Sequence, residues 1–378
     1  MKFIHISDLH LGKRVYEYSM TEEQEYILNQ ILEIIEKENP DGVLIAGDIY
    51  DKPIPPAEAV KLFDDFLVRL ADRKTEVFVI GGNHDSIERI AFGARLMSSR
   101  GVHISPVYNG EILPVTMNDG YGKVNVFMLP FVKPAHVRGF CDEEICTYTD
   151  AIRSAISVMD VNPSERNILV AHQFVTGATR CESEEVSVGG LDNVDASVFE
   201  VFDYVALGHI HSPQNCGSPK IRYCGTPLKY SFSEAKDKKS VTVVELFEKG
   251  NTVIRTAELK PRHELVELKG KYEELTLKSF YENTSWQEDY THITLTDEDD
   301  IPDAVSRLRT IYHRLMKLDY DNKRTRMNIE INGNDSVEAK TPNELFADFY
   351  LLQNNQPMSD EQAEFMKELI EKTTEDKQ

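Results

Sequence analysis

Cysteine is scarce and unpaired in pattern: Cys141, Cys146, Cys181, Cys216 and Cys224 are odd in number and none stands in a CxxC spacing. Neither a disulfide framework nor a zinc knuckle is expected, and the thiols read as reduced bystanders. No apolar run approaches the ~20 positions that a membrane-spanning helix needs. The first residues carry no signal-peptide pattern, because Met1-Lys2 leads straight into the strand-like Phe3-Ile4-His5-Ile6-Ser7. The expected location is therefore cytoplasmic, with no membrane partner. Positive charge is also in deficit, with 42 Lys and Arg against 64 Asp and Glu, a net charge of −22. Nucleic-acid backbones are bound through clustered Lys and Arg, so autonomous tight binding of DNA is disfavoured. Catalysis on DNA is not excluded. Divalent cations invert the local sign at a site lined by carboxylates and imidazoles, and a partner subunit can supply a basic surface.

What is present is an ordinary globular composition, 41% hydrophobic and 28% charged, over 378 residues. That length exceeds what one core usually organises, so two or three domains are expected. Strand-like segments rich in Val, Ile, Leu and Phe fall at 3–7, 43–47, 77–81, 124–130, 167–171, 204–208 and 221–224. Helical patterns lie between them: Thr21 and Gln24 form a capping-box pattern before Ile27, Leu28, Ile31, Ile34 and Ile35, and Pro55-Pro56 precedes Val60, Phe63, Phe66, Leu67 and Leu70. The second stripe reads as core or as a homodimer contact. The fold class is α/β, with helices packed over sheets. Segments 240–247 and 251–259, separated by Glu248, Lys249 and Gly250, predict a β-hairpin.

The texture changes near Lys260-Pro261-Arg262. The expected organisation is a domain over 1–260, a small α+β cap over 261–322, a polar linker over 323–340 and C-terminal helices over 341–378. In the cap, strands are predicted at 263–269, 290–296 and 315–319, with a helix carrying Ala304, Val305, Leu308 and Ile311. Trp286 is expected to pack there. Met327 to Ile331 could add a short strand. Thr341-Pro342-Asn343-Glu344 predicts one helix start, followed by Leu345, Phe346, Phe349 and Leu352. Ser359 with Gln362 predicts another, followed by Phe365, Met366 and Leu369.

Five short segments place metal-type side chains directly after strands: Ser7-Asp8-Leu9-His10, Ala46-Gly47-Asp48, Gly82-Asn83-His84-Asp85, Ala171-His172 and Gly208-His209-Ile210-His211. A lone His after a strand is usually a hydrogen-bonded structural residue, and an isolated Gly-Asp is usually a turn. The set is different, because strand ends in an open α/β sheet gather at one edge. These segments also use five of the eleven histidines. His5, His103, His136, His263, His292 and His313 fit no motif and read as ordinary polar histidines. Two carboxylates, an amide oxygen and four imidazoles suit manganese, iron or zinc better than an all-oxygen cage. Seven ligands are too many for one tetrahedral ion, so two ions sharing a carboxylate are expected, a pair able to clamp a phosphate and activate water.

The order DxH, GD, GNHD, H, GHxH resembles the calcineurin-like metallophosphoesterase superfamily. Asp8-Leu9-His10-Leu11-Gly12, Arg222-Tyr223-Cys224-Gly225-Thr226-Pro227 and Ser231-Phe232-Ser233-Glu234 resemble its bacterial SbcD nuclease branch. The resemblance implies a core of packed mixed β-sheets flanked by helices and a manganese-dependent DNA exonuclease and endonuclease. It implies one ion on Asp8, His10, Asp48 and His211 and another on Asp48, Asn83, His172 and His209, with Asp48 bridging. It further implies His84 as the group facing the scissile phosphate and Asp51, from Gly47-Asp48-Ile49-Tyr50-Asp51, as the residue orienting His84. The implied partners are DNA ends, hairpins and single strands, a second copy of the chain, and an SbcC-type SMC-like ATPase engaged by the C-terminal helices. Lys13, Arg14, Arg89 and Lys229 lie close in sequence to the motifs and could contact DNA backbone or simply be solvated. A phosphatase or cyclic-nucleotide phosphodiesterase with the same metal chemistry is the alternative, and a catalytically dead scaffold a third.

Overall fold

The structure, a computed structural model, describes residues 1–184, 192–323, 325, 346–347, 350 and 358–375. It divides into one unit over Met1–Leu265 and a second over Val266–Gln378.

The first unit is built on two six-stranded sheets. One contains β1 (Lys2–Ile6), β2 (Gly42–Ala46), β3 (Glu76–Ile80), β4 (Val102–Ile104) and the hairpin of β11 (Ser240–Leu246) with β12 (Thr252–Glu258), in the order β12-β11-β1-β2-β3-β4. The other contains β5 (Val115–Asp119), β6 (Gly122–Leu129), β7 (Arg166–His172), β8 (Tyr204–Gly208), β9 (Gln214–Cys216) and β10 (Ser218–Tyr223), in the order β9-β10-β8-β7-β6-β5. The central pairs β1/β2, β2/β3, β6/β7, β7/β8 and β8/β10 are parallel, whereas the outer pairs β1/β11, β11/β12, β5/β6 and β9/β10 are antiparallel.

Alternation along the strands explains the stacking. Leu44, Ala46, Phe78 and Ile80 join Val124, Val126, Ile168, Val170 and Ala206 in one buried cluster between the sheets. The intervening Phe127, Leu129, Leu169, Ala171, Val205 and Leu207 pack the other way, with Ile152 and Ala155 of α3 (Tyr148–Ser157). Burial on both faces requires the continuous apolar runs that marked these strands in the sequence. On the first sheet, α2 (Ala57–Ala71) packs on β3 and on α1 (Thr21–Glu38). Phe63, Phe66 and Leu70 are buried, so most of that stripe is core.

The predicted Thr21/Gln24 capping box does not form. Met20 occupies the cap of α1 with no side-chain cap bond. Gln24 is buried and bonds instead to the loop after β1: its Nε2 donates to the His10 carbonyl at 2.7 Å, and its Oε1 accepts from the Gly12 N–H at 3.0 Å. A buried loop must have its main-chain groups satisfied, and here that demand outweighs local capping.

The second unit holds a three-stranded sheet, β13 (Leu265–Gly270), β14 (Tyr290–Leu295) and β15 (Arg314–Tyr320), in that order. With α4 (Ala304–Arg309) it buries Leu268, Leu275, Ile293, Leu295, Leu308 and Leu315. Trp286 packs in this unit, 5.2 Å from the Phe280 ring. The compact units divide between Leu265 and Val266. Residues 262–264 stay tied to the first unit through Arg262–Glu22 at 3.9 Å, His263–Glu23 at 2.5 Å and Glu264–Lys229 at 2.7 Å. α5 (Asp360–Glu375) starts as predicted, with Ser359 and Gln362 in a reciprocal cap at 3.0 and 3.3 Å. Residues 326–340, the 341–344 helix start, Leu345, Phe349 and Leu352 lie outside the described residues.

Candidate metal centre

The five predicted segments leave the carboxyl ends of β1, β2, β3, β7 and β8 and meet at one edge of the sandwich. Asp8, His10, Asp48, His172 and His211 are buried, while Asn83, His84 and His209 are half-buried and form the open side. Potential ligand atoms of Asp8, His10 and His211 lie within 4.8 Å of one another, as do those of Asp8, Asp48 and His172 and those of His10, Asp48 and His84. Asp48 Oδ2 stands 3.3 Å from His172 Nε2 and 3.8 Å from His10 Nε2, between the two groups. Asn83 Oδ1 lies 3.0 Å from His172 Nε2 and 2.8 Å from His209 Nδ1.

The backbone at this edge is held in conformations that side chains disfavour. Asp8, His10, Asp48 and His209 have φ values of 54°, 44°, 48° and 106°. Left-handed geometry at non-glycine residues costs energy and persists where the surroundings over-determine it, a pattern that clusters at functional sites. The glycines matter for proximity. A Cβ on Gly82 would sit 2.1 Å from Asp48 Oδ1, and one on Gly208 would sit 1.9 Å from the Ala46 carbonyl oxygen.

The donor set fits cations. His10 Nε2 and His211 Nε2 face each other at 3.1 Å, two imidazole nitrogens converging beside the Asp8 and Asp48 carboxylates. Burial holds His10 and His211 well below the ordinary imidazole range and His209 at about 3, so these rings are neutral, as ligation requires. Burial also pushes the Asp8 carboxyl up to about 8. Burial opposes charge on Asp48 and His172 as well, but their mutual attraction prevails: Asp48 is held well below its usual value and His172 rises to about 9. A dication at this point would take the place of the His172 proton. The His172 Nδ1–H donates to the Ala46 carbonyl at 2.8 Å, which aims Nε2 inward.

His84 Nε2 stands 4.0 Å from Asp48 Oδ2, and the His84 main-chain N–H donates to Asp48 Oδ1 at 2.9 Å. Asp51 meets His84 through its main chain. It is the main-chain carbonyl of Asp51 that accepts from His84 Nδ1, at 3.1 Å. The Asp51 carboxylate is instead paired with Lys13 at 2.7 Å and lies 3.8 Å from His10 Nδ1.

Sequence reasoning passed over Asp85, the last residue of the Asn-His-Asp turn. Its buried carboxyl accepts from the N–H groups of Ile49, Tyr50 and Gly82 at 3.1, 3.0 and 2.9 Å, joining the Asp48 loop to the Asn83 loop. Of the four basic residues near the motifs, Lys13 and Lys229 are engaged by Asp51 and Glu264, and Arg14 by the Glu17 carbonyl. The motif-free histidines have structural partners: His5 with Tyr204, His103 with Glu76, His263 with Glu23, His292 with Asp319 and His313 with Glu288, while His136 caps a helical turn at Lys133.

Residues 1–213 match the family described as calcineurin-like phosphoesterase, and residues 261–354 match one described as Type 5 capsule protein repressor C-terminal domain. The chain is 31% identical over 380 residues to the SbcD component of the nuclease SbcCD from Staphylococcus epidermidis, covering 98% of each. It is 31% identical over 341 residues to the component of the same name from Staphylococcus saprophyticus, covering 88% of this chain and 89% of the relative. Among solved structures, a dimetal phosphatase from Danio rerio covers 68% of this chain at 13% identity with a TM-score of 0.45, too weak a likeness to add to the family match.

Proposed function

Because the chain belongs to the calcineurin-like phosphoesterase family, and within it to the SbcD relatives matched along almost its whole length, we propose that it is a manganese-dependent DNA nuclease that hydrolyses phosphodiester bonds with two metal ions. The observation that carries this reading is Asp48, a buried carboxylate placed between two groups of ligand atoms contributed by both sheets. Asp8, His10, Asp48 and His211 would hold one ion; Asp48, Asn83, His172 and His209 would hold the other. When bound, the pair supplies charge that clamps a phosphate and lowers the pKa of water between them.

The remaining work falls to protein groups. The Asp51 carbonyl receives the Nδ1–H of His84, which leaves Nε2 on the open side. In its protonated form His84 donates Nε2–H to the departing oxygen of the scissile ester. Lys133 and His136, with Phe131, line a cleft that adjoins Asn83, where a flanking phosphate and base would lie.

The same reading assigns DNA ends, hairpins and single strands as substrates in replication, recombination and repair in the cytoplasm. Two surfaces support protein partners. Val60, Phe63, Leu67, Phe92 and Met97 line one groove, and Ile54, Val60, Val68, Phe92 and Leu96 are exposed, which suits a second copy of the chain. On α5, Phe365 and Leu369 are 65% and 46% exposed at helical spacing, which suits an SbcC-type ATPase. Among the described residues no helix is long and apolar enough to cross a membrane.

Incubating the chain with manganese, a labelled hairpin duplex, a single-stranded oligonucleotide and a phosphomonoester tests the proposal. DNA cleavage that stops on chelation is expected. Rapid phosphomonoester turnover with intact DNA would replace the nuclease by a phosphatase.

A further inference from the structure

The Ser231-Phe232-Ser233-Glu234 motif takes no part in the proposed ligand set, yet it delivers one of the most buried charges among the described residues. Glu234 and Lys239 are paired at 2.5 Å with side-chain exposures of 0% and 1%. A buried ion pair loses hydration that its attraction only partly restores, so its presence beside a metal centre calls for an explanation. The pair encloses His211. Lys239 donates to the His211 carbonyl at 2.9 Å, as does the Thr226 N–H at 3.0 Å, and the His211 N–H donates to Glu184 at 2.7 Å. Ser183 Oγ lies 2.6 Å from Glu234 Oε1 and 2.6 Å from His211 Nδ1. Every polar group of His211 except Nε2 therefore has a partner outside the candidate ligand set.

The serine hydroxyl has a single proton. Glu234, charged beside the Lys239 ammonium, can only accept. Ser183 must then donate to Glu234 and receive the Nδ1–H of His211. We propose that Lys239, Glu234 and Ser183 form a positioning relay that fixes His211 as the Nδ1–H tautomer and so keeps its Nε2 lone pair on the metal centre. This rests on His211 being a ligand and not on DNA being the substrate.

Glu234→Gln is the discriminating change. An amide NH2 facing the ammonium at 2.5 Å would be costlier than one facing the Ser183 and Ser231 hydroxyls, which can rotate, and the Tyr230 N–H at 3.3 Å, so it turns toward Ser183. The hydroxyl then reverses and donates to His211 Nδ1 at 2.6 Å, a stronger acceptor than the Cys181 sulfur 3.0 Å away, and the ring proton moves to Nε2. In the full-length metal-free chain with 15N-labelled histidine, assigned with a His211→Gln control, His211 should show a protonated Nδ1 in the parent and a protonated Nε2 in Glu234→Gln. Manganese titration should show one of two sites weakened by about 10- to 100-fold, the range for lost outer-shell partners, and the other unchanged.

Ser183→Ala, at a half-buried position, should weaken that same site, and Ser183→Thr should restore it. A merely structural ion pair would lower melting temperature without moving the tautomer. The relay is overturned if Glu234→Gln keeps the Nδ1–H signature, or if Ser183→Ala binds two ions as the parent does. If Glu234→Gln does not fold, the two serine variants decide. A parent that binds two ions but leaves DNA intact removes the nuclease reading and leaves the relay standing.

Discussion

His172 and His211 approach the centre from adjacent strand ends of the same sheet, but they are held by different means. The His172 ring is anchored to the main chain, through Nδ1 on the Ala46 carbonyl, with Gly47 and Gly208 leaving room for the approach. The His211 ring is anchored to side chains, through Ser183 and beyond it Glu234 and Lys239. A main-chain anchor is fixed by the sheet pairing itself and can be disturbed only by moving backbone. A side-chain anchor can be changed one residue at a time, so under the proposed relay metal affinity on the His211 side would be adjustable separately from the His172 side.

Asp48→Ala should have the largest effect, because Asp48 belongs to both halves: both ions lost and hydrolysis at background, read by metal analysis and rate together. Two retained ions with near-normal turnover would refute the shared carboxylate. Gly47→Ala should act on the main-chain half alone. Its Cβ would lie 2.5 Å from His172 Nδ1 at a φ of 87°, so the ion on Asn83, His172 and His209 should be lost and the other kept. A stability cost of about 1–3 kcal/mol is expected from the overpacking. Equal weakening of both sites would erase the distinction between the halves.

His84→Ser should leave both halves loaded and lower the rate by roughly 10²- to 10⁴-fold, the range of a positioned proton donor. Loss of metal in that variant would make His84 a ligand. Asp51→Ala should be mildest, a few-fold in rate, because the His84 contact uses a carbonyl that alanine retains. A loss as large as that of His84→Ser would return the orienting role to the carboxylate.

The convergence of the candidate ligands was legible because each sits in a short motif at the end of a strand whose apolar run is also local. What was not legible depends on distant partners. Gln24 has the spacing of a cap but serves the loop after β1, a demand that appears only once that loop is buried. Asp85 looked like part of a turn, and its role is to tie two loops that start from different strands. The Asp51 contact with His84 runs through its carbonyl, and a residue letter says nothing about which of its groups will be used. Residues 262–264 follow the change of texture near Lys260, yet three side-chain contacts hold them to the first unit, and such contacts leave no mark in local composition.

Asp8, His10, Asp48 and Asn83 follow strands of one sheet, and His172, His209 and His211 follow strands of the other. Each ion in the proposed arrangement therefore takes ligands from both sheets and acts as a cross-link at the edge of the sandwich. A ligand that binds only the folded chain adds about 2.7 kcal/mol at a hundredfold excess over its dissociation constant. The melting temperature thereby becomes a gauge of free metal, and chelation should first loosen the seam where the two sheets meet at their carboxyl ends.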